Sequence, residues 1–192
     1  MTKRAAASMA VVLAAALLAS CSGGSSDATE VASPKVVPVK AWLADACATL
    51  GEARDIQVAP LLGDGPAPSI ETKAQRQAVR VDLAEELTDR ERAVDELSAA
   101  VAKNGRPDSR GGSLLVQQLQ TGLSDLSERY ERTSAKVSQV PAGDPDVFEA
   151  KMSSAMGELD QGSSGLDEVK RAIFADPAMA DLLLETESCQ GL

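Results

Sequence analysis

The chain has 192 residues, with 29 acidic against 19 basic side chains, and a formal net charge of -10 at pH 7. This acidity argues against a nucleic-acid partner, because binding to DNA or RNA depends on lysine and arginine at the phosphates. The sequence contains no histidine and only 2% aromatic residues, which argues against base stacking, Ser-His-Asp or Cys-His catalysis, and ordinary zinc or haem sites.

The first twenty residues have the parts of a bacterial lipoprotein signal peptide. A basic start precedes an apolar stretch over residues 5–19, and a lipobox reading LASC ends at Cys21. At about 1.5 Å per residue the stretch spans roughly 22 Å, too little for a permanent membrane helix. We predict cleavage between Ser20 and Cys21 and lipidation of Cys21. An ordinary secretory signal that happens to precede a cysteine is the alternative.

Residues 21–38 are expected to form a flexible tether between the lipid and the folded domain. The stretch begins with glycine and serine and contains two prolines, so it buries too little apolar surface to order itself. The alternation at residues 36–39 is too short and too rich in proline to predict a strand. We therefore place the folded domain at residues 39–192.

Helical periodicity begins after the tether. Apolar residues spaced by three and four predict a first helix over about residues 38–58. Prolines and glycines end it, and Ser69 is the expected N-cap of a second helix over residues 69–103. Glu86 and Arg90 are four residues apart in this helix, which predicts an exposed ion pair. Its expected buried face comprises Leu83, Leu87, Val94, Leu97 and Val101.

The second half of the chain predicts a third helix over residues 113–140 and a more regular fourth one. Asp144 is the expected N-cap of the fourth helix, and Pro145 occupies its first position. The same pair of residue types at Asp176 and Pro177 should end that helix and open a short fifth one. The apolar seam of the fourth helix comprises Phe148, Met152, Ala155, Leu159, Gly162, Leu166, Val169 and Ile173.

These elements predict an all-α fold. Four amphipathic helices with short connections usually stack as an antiparallel up-down-up-down four-helix bundle, here with a short fifth helix at the C-terminus. The first helix is roughly ten residues shorter than the others, so one end of the bundle should be uneven. That end is where we expect a cleft.

The cysteine count predicts one disulfide. Export reaches a compartment that permits disulfides, and lipid on Cys21 leaves only Cys47 and Cys189. In the predicted topology both cysteines lie toward the same end of the bundle. In the chain-entropy description such a bridge contributes roughly 4 to 5 kcal/mol.

Two local features allow more than one interpretation. Gly157, Gly162 and Gly165 in the fourth helix favour close packing of a neighbouring helix, with ligand access to the backbone as the alternative. The loop over residues 103–110 contains one lysine and two arginines. It is either an ordinary solvated turn or a contact with anionic lipid headgroups.

Several short motifs resemble the small helical lipoproteins and secreted proteins common in actinobacteria. They are the lipobox, AWLADAC in the first helix, NGRP after the second, DPxxF at Asp144 and the terminal ESCQGL. The most specific part is the pattern of Trp42, Cys47 and Cys189. The resemblance implies a helical protein of the cell envelope, and it transfers no catalytic residues.

Two functions fit these expectations. The first is a non-catalytic interaction or scaffolding module, anchored on the extracytoplasmic face of the cell membrane, with an envelope protein as partner. The second is a carrier of an apolar small molecule or lipid, with Met152, Met156, Met179 and Gly162 making the core adaptable. We expect no enzyme activity, cofactor or metal site. A carrier needs an apolar cavity of roughly 300 Å³ or more, whereas an interaction module needs a filled core and an exposed apolar patch.

Overall fold

The computed structural model describes residues 35–63, 65, 68–160 and 165–192. The predicted all-α class is confirmed, with one short pair of strands beside the helices. The elements in chain order are β1 (Val36–Val37), α1 (Val39–Val58), α2 (Lys73–Asn104), β2 (Arg106–Pro107), α3 (Gly112–Ser138), α4 (Pro145–Asp160), α5 (Gly165–Ala175), α6 (Pro177–Glu185) and a 3-10 turn at Glu187–Cys189. None of the helices in the described ranges has the length and apolar character that crossing a membrane requires.

The two longest helices, α2 and α3, pack against each other and position everything else. α2 begins with a capping box rather than at the expected Ser69. The Thr72 hydroxyl accepts a hydrogen bond from the Gln75 amide (3.2 Å), and the Gln75 side chain accepts one from the Thr72 amide (2.8 Å). The box satisfies two amides that a helix N-terminus leaves without partners, which explains the later start.

The core lies between α2 and α3 on one side and the remaining helices on the other. α1 packs on α2, α4 and α5 pack on α3, and α6 packs on α1 and α5. The predicted buried face of α2 is confirmed, with Leu97 partly buried at its edge. The largest fully buried side chains of the core are Leu43, Leu87, Leu119, Leu123, Leu126, Phe148, Ile173 and Met179.

The predicted fourth helix corresponds to α4 and α5, and residues 161–164 lie outside the described ranges. Both expected aspartate caps are present. The Asp144 carboxylate accepts from the Val147 amide at 3.0 Å, and that of Asp176 accepts from the Ala178 amide at 2.8 Å.

A two-residue parallel pairing joins β1 to β2, which contradicts the expectation that residues 36–39 form no strand. The Arg106 amide donates to the Lys35 carbonyl (2.8 Å), and the Asp108 amide donates to that of Val37 (2.9 Å). Gly105 has a φ of +83°, and a Cβ there would collide with the Lys35 carbonyl. Residues 35–37, assigned to the tether by composition, are therefore part of the folded unit. So short a ladder leaves no period-two pattern to read.

The predicted disulfide between Cys47 and Cys189 is confirmed, with Cα atoms 5.0 Å apart. It belongs to a longer attachment in which residues 185–191 run along α1. The other attachments are an ion pair from Lys40 to Glu185 (3.0 Å), a hydrogen bond from the Ser188 hydroxyl to the Ala44 carbonyl (2.9 Å), and one from Arg54 to the Gly191 carbonyl (2.7 Å).

Close packing of a glycine is confirmed at Gly165, where α5 meets α3. A Cβ on Gly165 would lie 3.2 Å from the Gly122 Cα, and one on Gly122 would lie 2.9 Å from the Leu166 amide nitrogen. Gly157 has open space around it, and Gly162 lies outside the described residues. The backbones of α3 and α5 therefore approach closely at one point.

Candidate interaction groove

The sequence-predicted site residues fall in two different places. Cys47 and Cys189 are bonded in the core, whereas Ser20 and Cys21 lie outside the described residues. Signal cleavage and lipidation therefore stay predictions. The features that shape the surface come instead from side chains on α2 and α3.

Arg90 on α2 lies beneath the end of α1 and is buried, with 8% of its side chain exposed. The predicted ion pair with Glu86 is present at 3.0 Å, but the expectation of an exposed arginine is wrong. Its other nitrogens donate to the carbonyls of Ile56 (2.8 Å), Ala59 (2.9 Å) and Pro60 (3.1 Å). These carbonyls end α1 and begin the following loop, where helix geometry leaves acceptors without partners. Arg90 therefore acts as a side-chain cap for α1.

Arg76, one turn into α2, plays the same part for the last residues of the α1–α2 connection and for the α3–α4 connection. Its Nη1 donates to the carbonyls of Ile70 and Glu71, at 2.7 and 2.9 Å. Its Nε and Nη2 donate to those of Ala142 and Gly143, at 2.9 and 2.8 Å. One buried guanidinium thus joins the approach to α2 with the α3–α4 connection, using the several donors that arginine offers.

The spacing of apolar residues in α2 contains a signal for the buried Arg90 that the expectation of an exposed pair did not use. Leu87 and Val94 are seven residues apart on the buried face of α2, so position 90 completes the three-four spacing between them. Arg76 is likewise seven residues from Leu83, which lies on the same buried face. An arginine at such a seam position indicates a buried guanidinium, although the carbonyls that it binds are not readable from the sequence.

A cleft lies where α1 stops beside the longer helices α2 and α3. Its volume is about 230 Å³. Within it, burial raises the pKa of Tyr130, and the neighbouring Arg90 charge opposes that shift. The phenol is therefore neutral at physiological pH. The lining residues are Gln57, Ala59, Leu61, Arg90, Leu126, Arg129, Tyr130, Met156 and Leu159.

A larger and more open depression, the α2–α3 groove, follows the contact between the two long helices. Its volume is about 460 Å³. Small side chains form its floor, charged ones form its rim, and Val81 is 45% exposed within it. The lining residues are Arg80, Val81, Ala84, Glu85, Thr88, Asp89, Arg92, Ser134 and Ser138.

Hydrogen bonds fix the floor of the α2–α3 groove. The hydroxyl oxygens of Thr88 and Ser134 are 3.1 Å apart, and each also lies 3.0 Å from the Ala84 carbonyl, to which both can donate. The hydroxyls are thereby turned toward the helix backbones. The floor then presents methyl and methylene groups over a narrow, low surface.

The rim charges of the groove are held by neighbouring groups, one across to the α3–α4 connection and one within α2. Arg80 donates to the Val140 carbonyl at 3.1 Å, and Arg92 pairs with Asp89 at 2.8 Å. Exposed pairs of this kind contribute little to stability. They keep the long side chains at the edges, so the floor stays accessible.

An acidic seam continues the groove along the same two helices and comprises Glu91, Asp95 and Glu131. Burial, followed by the charges of Glu131 and Asp95, raises the pKa of Glu91. The Ser127 hydroxyl donates to the Asp95 carboxylate at 2.6 Å. Across the described ranges, no cluster of three or more metal-ligating side chains is placed to hold an ion. The seam therefore offers negative potential to a cationic partner group.

Comparison of the chain with protein-family models, with curated proteins and with solved structures finds no significant match. The resemblance to actinobacterial lipoproteins accordingly stays a prediction.

Proposed function

We propose that this protein is a non-catalytic interaction module of the cell envelope, related to the small helical lipoproteins of actinobacteria. In this proposal the chain is cleaved before Cys21 and held by lipid on the extracytoplasmic face of the cell membrane. Its α2–α3 groove receives a helix of a partner envelope protein. Neither nucleic acid nor a cofactor takes part.

We further propose that the helices form an antiparallel bundle. Three contacts between α2 and the α3 region support this arrangement, because their residue numbers change in opposite directions along the chain. They join Arg80 to Val140 (3.1 Å), Thr88 to Ser134 (3.1 Å), and Asp95 to Ser127 (2.6 Å).

The observation that carries the proposal is the continuity of a small-residue floor with an acidic seam. Ala84, Thr88 and Ser134 leave room for a helix backbone to approach between α2 and α3. Beyond them, Glu91, Asp95 and Glu131 bring negative charges together; burial, followed by the charges of Glu131 and Asp95, raises the pKa of Glu91. A lysine or arginine on the partner would relieve this repulsion. The groove thus fits an amphipathic helix with a basic end.

The cleft beside Tyr130 fits the carrier alternative less well than the α2–α3 groove fits an interaction module. Its volume of about 230 Å³ is smaller than the roughly 300 Å³ that small-molecule sites occupy. Arg90 and Arg129 also line it, so its wall is partly cationic rather than uniformly apolar. The open α2–α3 groove favours protein contact.

Photo-crosslinking in living cells tests the proposal. A photoreactive amino acid replaces Val81 in the groove, and in a second strain it replaces Val147 on α4. Val147 is the matched control for Val81, because the two valines are 43% and 45% exposed. We expect a discrete adduct from position 81 and none of that mass from position 147.

A charge-reversal variant establishes that the adduct depends on the proposed surface. Glu91→Lys with Glu131→Lys should abolish the adduct at position 81, while Glu149→Lys on α4 should leave it unchanged. Circular dichroism checks that all variants keep their helix content. An adduct that survives reversal of the seam, or equal adducts from both valines, would overturn the proposed groove.

A further inference from the structure

The exposed apolar side chains differ in type between the parts of the molecule. Leu114, Phe174 and Leu184 are 58%, 48% and 82% exposed. Every other exposed large apolar residue in the described ranges is a valine. Among the described residues, the exposed apolar side chains larger than valine are thus confined to these three positions. Exposed groups of this size often mark a contact surface.

Leu114 lies at the end of the molecule where Lys35 and β1 are found, here called the Lys35 end. β2 pairs with β1, and α3 begins only a few residues after it. The start of α3 is packed against β2, because a Cβ on Gly112 would collide with the Pro107 carbonyl. Leu114, in the first turn of α3, is therefore close to β1.

Phe174 reaches the Lys35 end through α5. This helix starts against Gly122, and Glu168 lines the same surface depression as Leu114. α5 therefore runs from Gly122 toward the start of α3, and Phe174 lies near its end. Leu184 reaches this end through α6, because the next residue, Glu185, pairs with Lys40 in the first turn of α1.

Basic side chains are concentrated in the two segments nearest Leu114, whereas Asp176 follows Phe174 and Glu185 follows Leu184 in the sequence. Residues 35–40 and 103–110 together contain three lysines, one of them Lys40, and two arginines. Asp108 is the one acidic residue of these stretches. Glu185 offsets the charge of Lys40. The chain as a whole carries -10, so these segments have the opposite sign to the rest. A basic stretch on the same end of a molecule as exposed apolar groups is a composition that anionic membrane surfaces bind.

We propose that the Lys35 end docks on an anionic lipid bilayer, with Phe174, Leu114 and Leu184 entering the headgroup boundary. This inference rests on the proposed lipid anchor at Cys21. Residues 22–34 reach roughly 45 Å at full extension, which keeps the Lys35 end near the bilayer. At such an effective concentration even a weak contact is populated. Docking fixes the orientation of the bundle and turns the α2–α3 groove sideways to the membrane.

Tryptophan quenching by brominated acyl chains tests the docking. The lipidated full-length protein is reconstituted in vesicles of equal parts phosphatidylcholine and phosphatidylglycerol. Trp42 is the single native tryptophan and is 2% exposed, so it gives a constant background. A second tryptophan is introduced by Phe174→Trp. The matched control is Val58→Trp, because Val58 is 68% exposed at the other end of α1, about 29 Å from Val39.

We expect brominated lipid to quench roughly half of the added emission in Phe174→Trp, because interfacial side chains enter the acyl boundary. Emission from Val58→Trp should be unchanged. Equal quenching of both variants, or none in either while the protein still sediments with vesicles, would overturn docking and leave the anchor intact. Failure to sediment would overturn the anchor itself. The two proposals therefore fail in distinguishable ways.

Discussion

The Lys35 end of the molecule and its opposite end are held together by different chemistry. At the Lys35 end, a disulfide fastens the last residues to α1, and backbone hydrogen bonds join β1 to β2. In the other half of the molecule, here called the arginine end, Arg90 near the middle of α2 and Arg76 near its start bind carbonyl groups of two connections, α1–α2 and α3–α4. A small core can thus be closed either by a covalent link or by buried guanidinium groups.

The two kinds of closure act on different states of the chain. The disulfide stabilises mainly by restricting the unfolded chain, so its contribution depends on the length of the loop that it closes. The arginines act on the folded state, because they supply donors to carbonyls that would otherwise be buried without partners. Stability should therefore respond differently to changes at each end.

Removal of the disulfide should give the largest effect. The double variant Cys47→Ser, Cys189→Ser opens a loop with a sequence separation of 142 residues. We expect the free energy of unfolding to fall by about 4 kcal/mol, measured by urea denaturation. Hydrogen exchange should rise first in residues 185–191. Reductant should destabilise the native chain similarly and leave the double variant unaffected; an equal response of both would contradict the assignment.

Removal of Arg90 should give the next largest effect. Arg90→Met keeps the apolar stem but leaves the carbonyls of Ile56, Ala59 and Pro60 without their donor. We expect a loss of about 3 kcal/mol in the free energy of unfolding. The matched control is Arg92→Met, because Arg92 lies two residues along α2, is 65% exposed and pairs with Asp89 in a surface contact.

The control should change stability by less than about 0.5 kcal/mol. Hydrogen exchange separates the ends of the molecule. In Arg90→Met it should rise in the last turn of α1, while residues 185–191 keep their protection. If Arg90→Met and Arg92→Met were equally stable, the guanidinium would not be closing the arginine end.

The glycine contact between α3 and α5 should give a smaller effect, because it is a local packing contact. In Gly122→Ala the new Cβ lies 2.9 Å from the Leu166 amide nitrogen, and backbone must move. We expect a loss of about 2 kcal/mol by thermal denaturation. Gly157→Ala has open space within α4 and should gain about 0.5 kcal/mol from helix propensity. Destabilisation by both variants would point to propensity-independent strain instead.

The sequence predicted the parts of the fold that follow from local periodicity and from counting. The three-four spacing found the buried face of α2, and the Asp-Pro pairs located the starts of α4 and α6. Counting cysteines after assigning Cys21 to lipid gave the Cys47–Cys189 bridge. These features depend on residues close in sequence or on a choice among very few partners.

The features that the sequence did not yield depend on contacts between distant backbones. β1 and β2 are two residues long, so their pairing is visible only when residue 35 meets residue 106. The α2–α3 groove exists because no other described helix covers Ala84, Thr88 and Ser134. Periodicity assigns a face to the core or to solvent, but it does not show which solvent-facing side lies in a groove.

The smallest expected effect concerns Tyr130 at the arginine end. Burial raises its pKa above the ordinary value of 10.0, so the folded chain holds the phenol proton more tightly than the unfolded chain does. The corresponding stability is fully present below the unfolded pKa and is lost as pH rises through the folded one.

Urea denaturation should therefore show a steeper alkaline loss of stability in the native protein than in Tyr130→Phe. Between pH 7 and 9 the difference between the two proteins should be constant, because the phenol of Tyr130, the single tyrosine of the chain, stays protonated there in both the folded and the unfolded state. The disulfide at the Lys35 end carries no titrating proton, so the Cys47→Ser, Cys189→Ser variant should keep the native alkaline slope. Parallel curves for the native protein and Tyr130→Phe above pH 10 would show that the phenol is not protected by burial.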